Sequence, residues 1–269
     1  MTANQTSLAV ALFSSQEGWA QGLVASLPRS LRRVERAAAA QLVLVDGRDD
    51  WLQSMSALLA GGAKQIALVE PVMTDLDALA ALPDAIEAAG ADCTVLEALA
   101  GNPAIAGLRD ILTHGFGELV LDGCDPQRLD AVLLRHIRLL RASGITQLHL
   151  ETLAVSDGAF LIDGSAQMAG AEVRLRLTGA KGHDAPYTRL TAHAADATAR
   201  LVWRGGAEAR PAEVSLADAS GLRQLPMLHE GGHRHGLRAL LAAQPTTGSA
   251  QMRALIEDMA MVQKLLGAP

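Results

Sequence analysis

Short apolar runs recur along the first hundred residues, and their spacing is the feature that most limits what this chain can fold into. The runs are Leu8–Phe13, Leu42–Val45, Ile66–Val69 and Cys93–Leu96. Each has the length and content of a buried strand, and segments with helical patterns lie between them. One of these helices is predicted to begin at a cap, Thr74 or Asp75, and to extend to about Ala89. Strands that alternate with helices in this way indicate a parallel α/β sheet.

The pattern changes after Asn102-Pro103. Two predicted helices, Ala104–His114 and Pro126–Ala142, flank a short strand candidate at Glu118–Leu121. Strand-like runs with Gly-containing turns between them then fill residues 147–214, and two helices, His233–Ala243 and Ser249–Leu266, end the chain. We therefore predict two domains, residues 1–100 with a truncated Rossmann-like parallel sheet and residues 101–269 with an α+β fold. The sheet of the second domain is predicted to be mostly antiparallel and open on one face.

Composition excludes several classes of function. The formal charge of −6 argues against a general nucleic-acid binder, which needs a basic face. No apolar stretch is long enough to span a membrane, and no basic region precedes the first apolar run, as a signal peptide would require. The two cysteines, Cys93 and Cys124, do not make a disulfide framework. We expect a cytoplasmic protein.

Four passages carry a resemblance to a known family. They are GAKQIALVEP, TDLDALAALPDAIEAAGADCTVLEALAGNPAI, RLDAVLLRHIRLLRASG and GGHRHGLRALLAAQPTTGSAQMRALIEDMAMVQKLL. In this order they resemble the glucose–fructose oxidoreductase / inositol dehydrogenase / MocA family, and the chain is similar to a shortened, degenerate member. The resemblance implies an N-terminal Rossmann domain that binds a nicotinamide cofactor. It also implies a C-terminal open-faced sheet through which family members commonly assemble.

The cofactor turn departs from the family pattern. Where the resemblance implies G-x-G-x-x-G after the first strand, the chain reads Ser14-Ser15-Gln16-Glu17-Gly18-Trp19. Glycines are needed there so that the backbone can approach the pyrophosphate, and only Gly18 remains of them. No second strand ends in an acid for the ribose, and the basic segment Arg29–Arg36 is interpreted as a solvated helix face. We therefore expect no NAD(P) bound through Ser14, Gln16 and Gly18, and no other cofactor.

The residues that the resemblance assigns to catalysis are also replaced. The family's lysine falls on Glu70, and its histidine falls on Leu134, with His136 two positions away. Glu70 and His136 are the candidate catalytic residues. If Glu70 were buried, it could act as a base with a raised pKa; the alternative is a capping or salt-bridged acid.

A histidine-rich segment is the candidate metal site. His229-Glu230-Gly231-Gly232-His233 fits the H-E-x-x-H pattern of zinc proteases, and His235 could be a further ligand. Two consecutive glycines weaken the helix that this motif needs, so a polar loop is the alternative interpretation.

These observations lead to three hypotheses. The first is a degenerate oxidoreductase homologue that acts as a non-catalytic subunit or small-molecule-binding accessory protein. Such a protein would form a homo- or hetero-oligomer through its C-terminal sheet and bind neither nucleic acid nor membranes. The second is a redox-neutral or metal-assisted enzyme that uses Glu70 with His229, His233 and His235. The third is an atypical NAD(P)-dependent oxidoreductase.

Overall fold

The chain divides into two structural units. The computed structural model describes residues 8–13, 22–27, 30–48, 50–113, 115–182, 185–205, 211–242 and 249–267. The first unit comprises Met1–Glu97 and His233–Glu257, and the second comprises Ala98–Gly232 and Asp258–Pro269. The sequence predicted a boundary between residues 100 and 101. The structure differs from that prediction in grouping His233–Glu257 with the N-terminal segment.

A five-stranded parallel sheet forms the centre of the first unit. Its strands are β1 (Leu8–Phe13), β2 (Leu31–Arg33), β3 (Leu42–Asp46), β4 (Gln65–Val69) and β5 (Asp92–Leu96). They lie in the order β2-β1-β3-β4-β5, and every pairing is parallel. All five residues of β3 are buried, which explains its uninterrupted apolar sequence, since a central parallel strand is covered on both faces. The predicted Rossmann-like sheet is confirmed.

The segment between β1 and β3 holds a strand where a helix was expected. Residues Leu31–Arg33 form β2 and pair with Leu8–Val10. A 3₁₀ turn at Ala37–Ala39 then leads into β3. The interpretation of Arg29–Arg36 as a helix face is therefore wrong for these residues. No local pattern indicated this strand, because Leu31–Arg33 is short and two of its three residues are exposed arginines.

Five helices of the first unit have described bounds. They are α1 (Trp51–Ala60), α2 (Leu76–Leu79), α3 (Leu82–Ala88), α6 (Gly232–Ala242) and the first part of α7 (Ala250–Leu266). The carboxylate of Asp75 caps α2 by accepting from the backbone N–H groups of Asp77 and Ala78, as predicted. The single helix predicted to follow this cap is instead two helices. Pro83 lacks the N–H that a continuous helix would need at that position.

An eight-stranded sheet forms the second unit. Its strands are β6 (Glu118–Asp125), β7 (Thr146–Val155), β8 (Ala159–Met168), β9 (Ala171–Lys181), β10 (Tyr187–His193), β11 (Thr198–Arg204), β12 (Glu213–Asp218) and β13 (Gly221–Gln224). The order is β13-β12-β11-β10-β6-β9-β8-β7. All pairings are antiparallel except that of β6 with β9. The predicted open, mostly antiparallel sheet is confirmed.

One face of this sheet is covered and the other is polar. The helices α4 (Ala104–Leu112) and α5 (Leu129–Ala142) belong to this unit, and α5 contacts β6 and β9. The opposite face carries cross-strand ion pairs such as Arg176 with Asp163 and Arg189 with Asp122. The edge strand β7 contains two register shifts against β8. Within the described ranges, no helix is long and apolar enough to cross a membrane.

Candidate functional site

The carboxyl ends of the parallel strands form the edge of the first sheet at which a ligand is expected. β2 lies on one side of β1, and the next strand in sequence, β3, lies on the other side. Ligands of open α/β sheets bind outside the carboxyl ends of the strands, at such a reversal of strand order. Asp46 ends β3, and Glu70 directly follows β4. This edge is therefore the candidate functional site.

Glu70 has a strained backbone at this edge. Its φ angle is 52°, in the left-handed region that residues other than glycine rarely adopt. The N–H of Glu70 donates to the carbonyl oxygen of Leu96 at 2.9 Å, which holds the backbone to the end of β5. Strained residues of this kind are found preferentially at functional sites, where the surrounding structure maintains them.

A neighbouring turn fixes the chain on the other side of Glu70. The N–H of Gly47 donates to the carbonyl oxygen of Val69 at 2.7 Å, and the N–H of Val72 donates to the carbonyl oxygen of Gly47 at 2.9 Å. A methyl group on Gly47 would lie 2.5 Å from the Cα atom of Pro71, so only glycine fits. The buried indole of Trp51 donates to the carbonyl oxygen of Val72 at 3.1 Å. Glu70 is thus held in a rigid frame.

The carboxylate of Glu70 contacts an imidazole. Its Oε1 atom lies 2.8 Å from Nε2 of His233, in the first turn of α6. The side chains of Glu70 and His233 are 35% and 24% exposed, so both can meet solvent or a ligand. The sequence singled out both residues but did not predict that they touch. The contact agrees with the interpretation of Glu70 as a paired acid, and it equally provides a carboxylate–imidazole pair of the kind that moves protons.

Asp46 and Arg48 form a second polar pair at the same edge, which the sequence reasoning missed. The Nε and Nη2 atoms of Arg48 donate to the two carboxylate oxygens of Asp46, both at 2.9 Å. The side chain of Asp46 is only 1% exposed, whereas that of Arg48 is 37% exposed. A buried carboxylate needs such a partner, and the planar guanidinium provides it in bidentate geometry. The sequence signal that could have indicated this pair is Asp46-Gly47-Arg48, directly after an apolar run.

The candidate residues for cofactor binding follow β1 in the sequence. Ser14, Gln16 and Gly18 lie outside the described residues. β2 ends in Arg33, and the first acid beyond this strand is Glu35, two residues later.

The histidines proposed as metal ligands do not form a metal site in the described part of the chain. There, no three His, Cys, Asp or Glu side chains are grouped so that they could hold a metal ion. His229 lies in an exposed loop, and the helix α6 begins only at Gly232. The H-E-x-x-H segment therefore does not form the single helix turn that would place two imidazoles on one face. His233 contacts Glu70, and His235 is exposed.

His136, the other catalytic candidate, lies in the interior of the second unit. It is on α5 and has no exposed surface, so its imidazole meets no solvent in this structure. Burial lowers the pKa of His136 to about 3, and the positive charge of Arg135 contributes in the same direction. The imidazole is therefore neutral at physiological pH. In this position the imidazole has no exposed surface at which a substrate could contact it.

Two comparisons by sequence found no match, whereas comparison of structures found many. No protein-family model matches the chain, and no curated protein matches it in sequence. An oxidoreductase from Sinorhizobium meliloti aligns with a TM-score of 0.71 and 11% identity, covering 98% of this chain and 97% of that one. UDP-N-acetylglucosamine 3-dehydrogenase GnnA from Acidithiobacillus ferrooxidans gives a TM-score of 0.67 and 10% identity, covering 98% of both chains.

A third structure extends the same result. A dehydrogenase from Chromobacterium violaceum aligns with a TM-score of 0.68 and 10% identity, covering 98% of this chain and 95% of that one. At such low identities these matches establish the fold alone. The chain has the fold of oxidoreductases and dehydrogenases over nearly its whole length, as the sequence resemblance predicted.

Proposed function

We propose that this chain is a degenerate homologue of the oxidoreductases whose fold it shares, and that it acts as a non-catalytic subunit or small-molecule-binding accessory protein. The observation that carries the proposal is the pair of Glu70 with His233 at the end of β4. The sequence resemblance places a catalytic lysine at position 70. A carboxylate cannot replace the cationic proton donor that a lysine supplies at neutral pH.

The rest of the machinery supports the same proposal. The histidine nearest to the position that the resemblance assigns to catalysis is His136, which is fully buried in the second unit. The candidate site keeps a rigid, partly exposed set of polar side chains, which suits recognition of a small molecule.

Titration with nicotinamide cofactors tests this proposal. The purified protein would be titrated with NADH and with NADPH while the fluorescence of the reduced nicotinamide is followed. We expect no saturable binding in the micromolar range. Glu70→Lys, tested in parallel, should not create dehydrogenase activity, because the lysine alone cannot supply a cofactor site. Tight binding of either cofactor to the unmodified protein would refute the proposal.

A second candidate function is a redox-neutral reaction in which Glu70 and His233 transfer a proton. It is favoured by the 2.8 Å contact between their side chains, by their partial exposure and by the strained backbone of Glu70. A carboxylate that holds one imidazole nitrogen orients the ring, which is an arrangement that general acid–base catalysis uses.

This second candidate is tested with the ligands that the protein retains. Small molecules bound to protein purified gently from its source would be identified by native mass spectrometry and incubated with fresh protein. Conversion without any redox partner, lost in both Glu70→Gln and His233→Asn, would support it. His193→Asn, which changes an exposed histidine at the end of β10, is the matched control. Equal turnover by all variants would exclude a role for the pair.

Association through the second sheet is a further part of the proposal. The support is the polar outer face of this sheet, on which exposed arginines such as Arg174 alternate with acids. Rows of both charges are self-complementary when two copies meet face to face. We expect native mass spectrometry to detect an oligomer, and Arg174→Glu to weaken it. Arg32→Glu, at an exposed position of the first unit, should leave it intact; a monomeric parent protein would contradict this part.

A further inference from the structure

The helix α6 carries its buried residues on one face, and His233 is the first residue of that face. Gly236, Leu237 and Leu240 lie three, four and seven residues further on, which is the spacing of residues that share one side of a helix. Leu237 is completely buried and Leu240 is partly buried, whereas the residues on the opposite face are exposed. The helix therefore turns the imidazole of His233 toward the sheet, where it contacts Glu70.

The helix meets the sheet at Leu96, the last residue of β5. A methyl group built on Gly236 would lie 2.7 Å from Cδ2 of Leu96, whereas carbon atoms in contact are about 3.5 to 4.0 Å apart. The side chain of Leu96 is buried and belongs, with Leu237, to the core of the first unit. Glycine is unfavourable inside a helix compared with alanine, so this close approach is a physical reason for a glycine at position 236.

Leu96 also holds the other partner of the pair. Its carbonyl oxygen accepts from the N–H of Glu70 at 2.9 Å, and the φ angle of Glu70 is 52°. One residue therefore contacts both sides of the site, through its main chain the backbone of Glu70 and through its side chain the helix that carries His233. The contact between Oε1 of Glu70 and Nε2 of His233 is 2.8 Å long. It would be lost if these atoms moved about 0.8 Å further apart, since a contact of about 3.6 Å is no longer a hydrogen bond.

We propose that Gly236 and Leu96 are positioning residues of the candidate site and set the separation between Glu70 and His233. Gly236 lets α6 lie against the end of β5. Leu96 supports the helix with its side chain and holds the backbone of Glu70 with its carbonyl oxygen. Both residues act through the pair, so the inference rests on the pair that the proposed function uses. It concerns the geometry of that pair, whichever of the two candidate functions is right.

NMR of ¹⁵N-labelled histidine rings tests the proposal in the folded protein. The ring signals of His233 are assigned by their loss in His233→Asn, and Glu70→Ala gives their positions when the carboxylate is removed. We expect Gly236→Ala to move these signals at least halfway from the parent positions to those of Glu70→Ala, because the methyl group displaces α6 from Leu96. Adding Leu96→Val removes both Cδ atoms that crowd this methyl group, so the double variant should return the signals to the parent positions.

Gly22→Ala is the matched control. It also changes a helical glycine of the first unit, but no described atom lies within 4 Å of the methyl group that it adds. The signals of His233 should keep their parent positions in this variant. If crowding prevents Gly236→Ala from folding, the double variant with Leu96→Val decides, because parent-like signals support the proposal and displaced signals contradict it.

Three results would overturn the proposal. Signals that stay in place in Gly236→Ala would show that the side chain of Leu96 yields and α6 does not move. Signals that move but are not restored by Leu96→Val would show that Leu96 does not set the position of the helix. Signals that Glu70→Ala leaves unchanged would show that the pair does not form. Each is read from the imidazole itself, so it is distinct from a failure of the proposed function, which cofactor binding or turnover would reveal while these signals behave as expected.

Discussion

The burial of His136 leads to a prediction about the pH dependence of stability. Its pKa is about 3 in the folded protein, against the ordinary value of 6.5 that applies to the unfolded chain. Above pH 6.5 neither state binds the proton, and between these values only the unfolded state binds it. The stability that depends on a neutral His136 is therefore fully present above the pKa of the unfolded chain, and it is lost as the pH falls toward the pKa of the folded protein. The loss is about 1.4 kcal/mol per pH unit, or about 2.5 kcal/mol between roughly pH 7 and roughly pH 4.5.

The variant His136→Leu has no imidazole to protonate and should not show this loss. Urea unfolding of both proteins is followed by tryptophan fluorescence at several pH values across this window. The measured quantity is the difference between their free energies of unfolding, compared from one pH to the next. The stability of the parent protein relative to the variant should fall by about 2.5 kcal/mol as the medium is acidified. His193→Leu changes an exposed imidazole and should keep the pH dependence of the parent protein. Equal acid losses in the parent protein and His136→Leu would refute the reasoning.

Three further predictions concern single positions. Asp258→Asn should destabilise the second unit by about 2 to 3 kcal/mol in urea unfolding, because two arginines of α5 lose the buried carboxylate that they share. The control Asp163→Asn changes a more exposed ion pair and should reduce the free energy of unfolding by less than about 1 kcal/mol. Gly47→Ala should lower the free energy of unfolding by about 1 to 3 kcal/mol, since the added methyl group would meet the backbone of Pro71. A thermal unfolding midpoint equal to that of the parent protein would contradict this. Glu70→Gly should be about 1 kcal/mol more stable than Glu70→Ala, because only alanine is strained at a φ of 52°; equal stabilities would show that the strain is absent.

The sequence predicted the elements whose patterns are local. β1 has the predicted bounds, Leu8–Phe13, because an uninterrupted apolar run between polar residues leaves one interpretation. The strand predicted at Glu118–Leu121 extends to Asp125 in the structure. The prediction ended too early because the added residues include a glycine and two acids, which are not typical of a central strand. These residues are extended because they pair with β10 on one side and β9 on the other. Only the folded chain brings these strands together.

The same distinction applies to the candidate site. Glu70 could be identified because it follows an apolar strand and stands where a known motif has a lysine. Its contact with His233 joins residues that are 163 positions apart, and no local pattern encodes such a pairing. Asp46 and Arg48 are local, but a bidentate contact across two residues looks like an ordinary polar turn in the sequence. Burial of Asp46, which makes the pair informative, depends on the surrounding fold.

The register shifts in β7 bear on how the protein behaves in crowded or concentrated solution. The shifts fall between Thr146 and His149 and between Thr152 and Ala154, and Gln147 has a φ angle of 50°. An edge strand interrupted in this way presents no regular row of N–H and C=O groups, so it is a poor template for strand addition by another chain. The opposite edge, β13, has only four residues. The large open sheet is thus protected at both edges against the edge-to-edge pairing that begins β-aggregation.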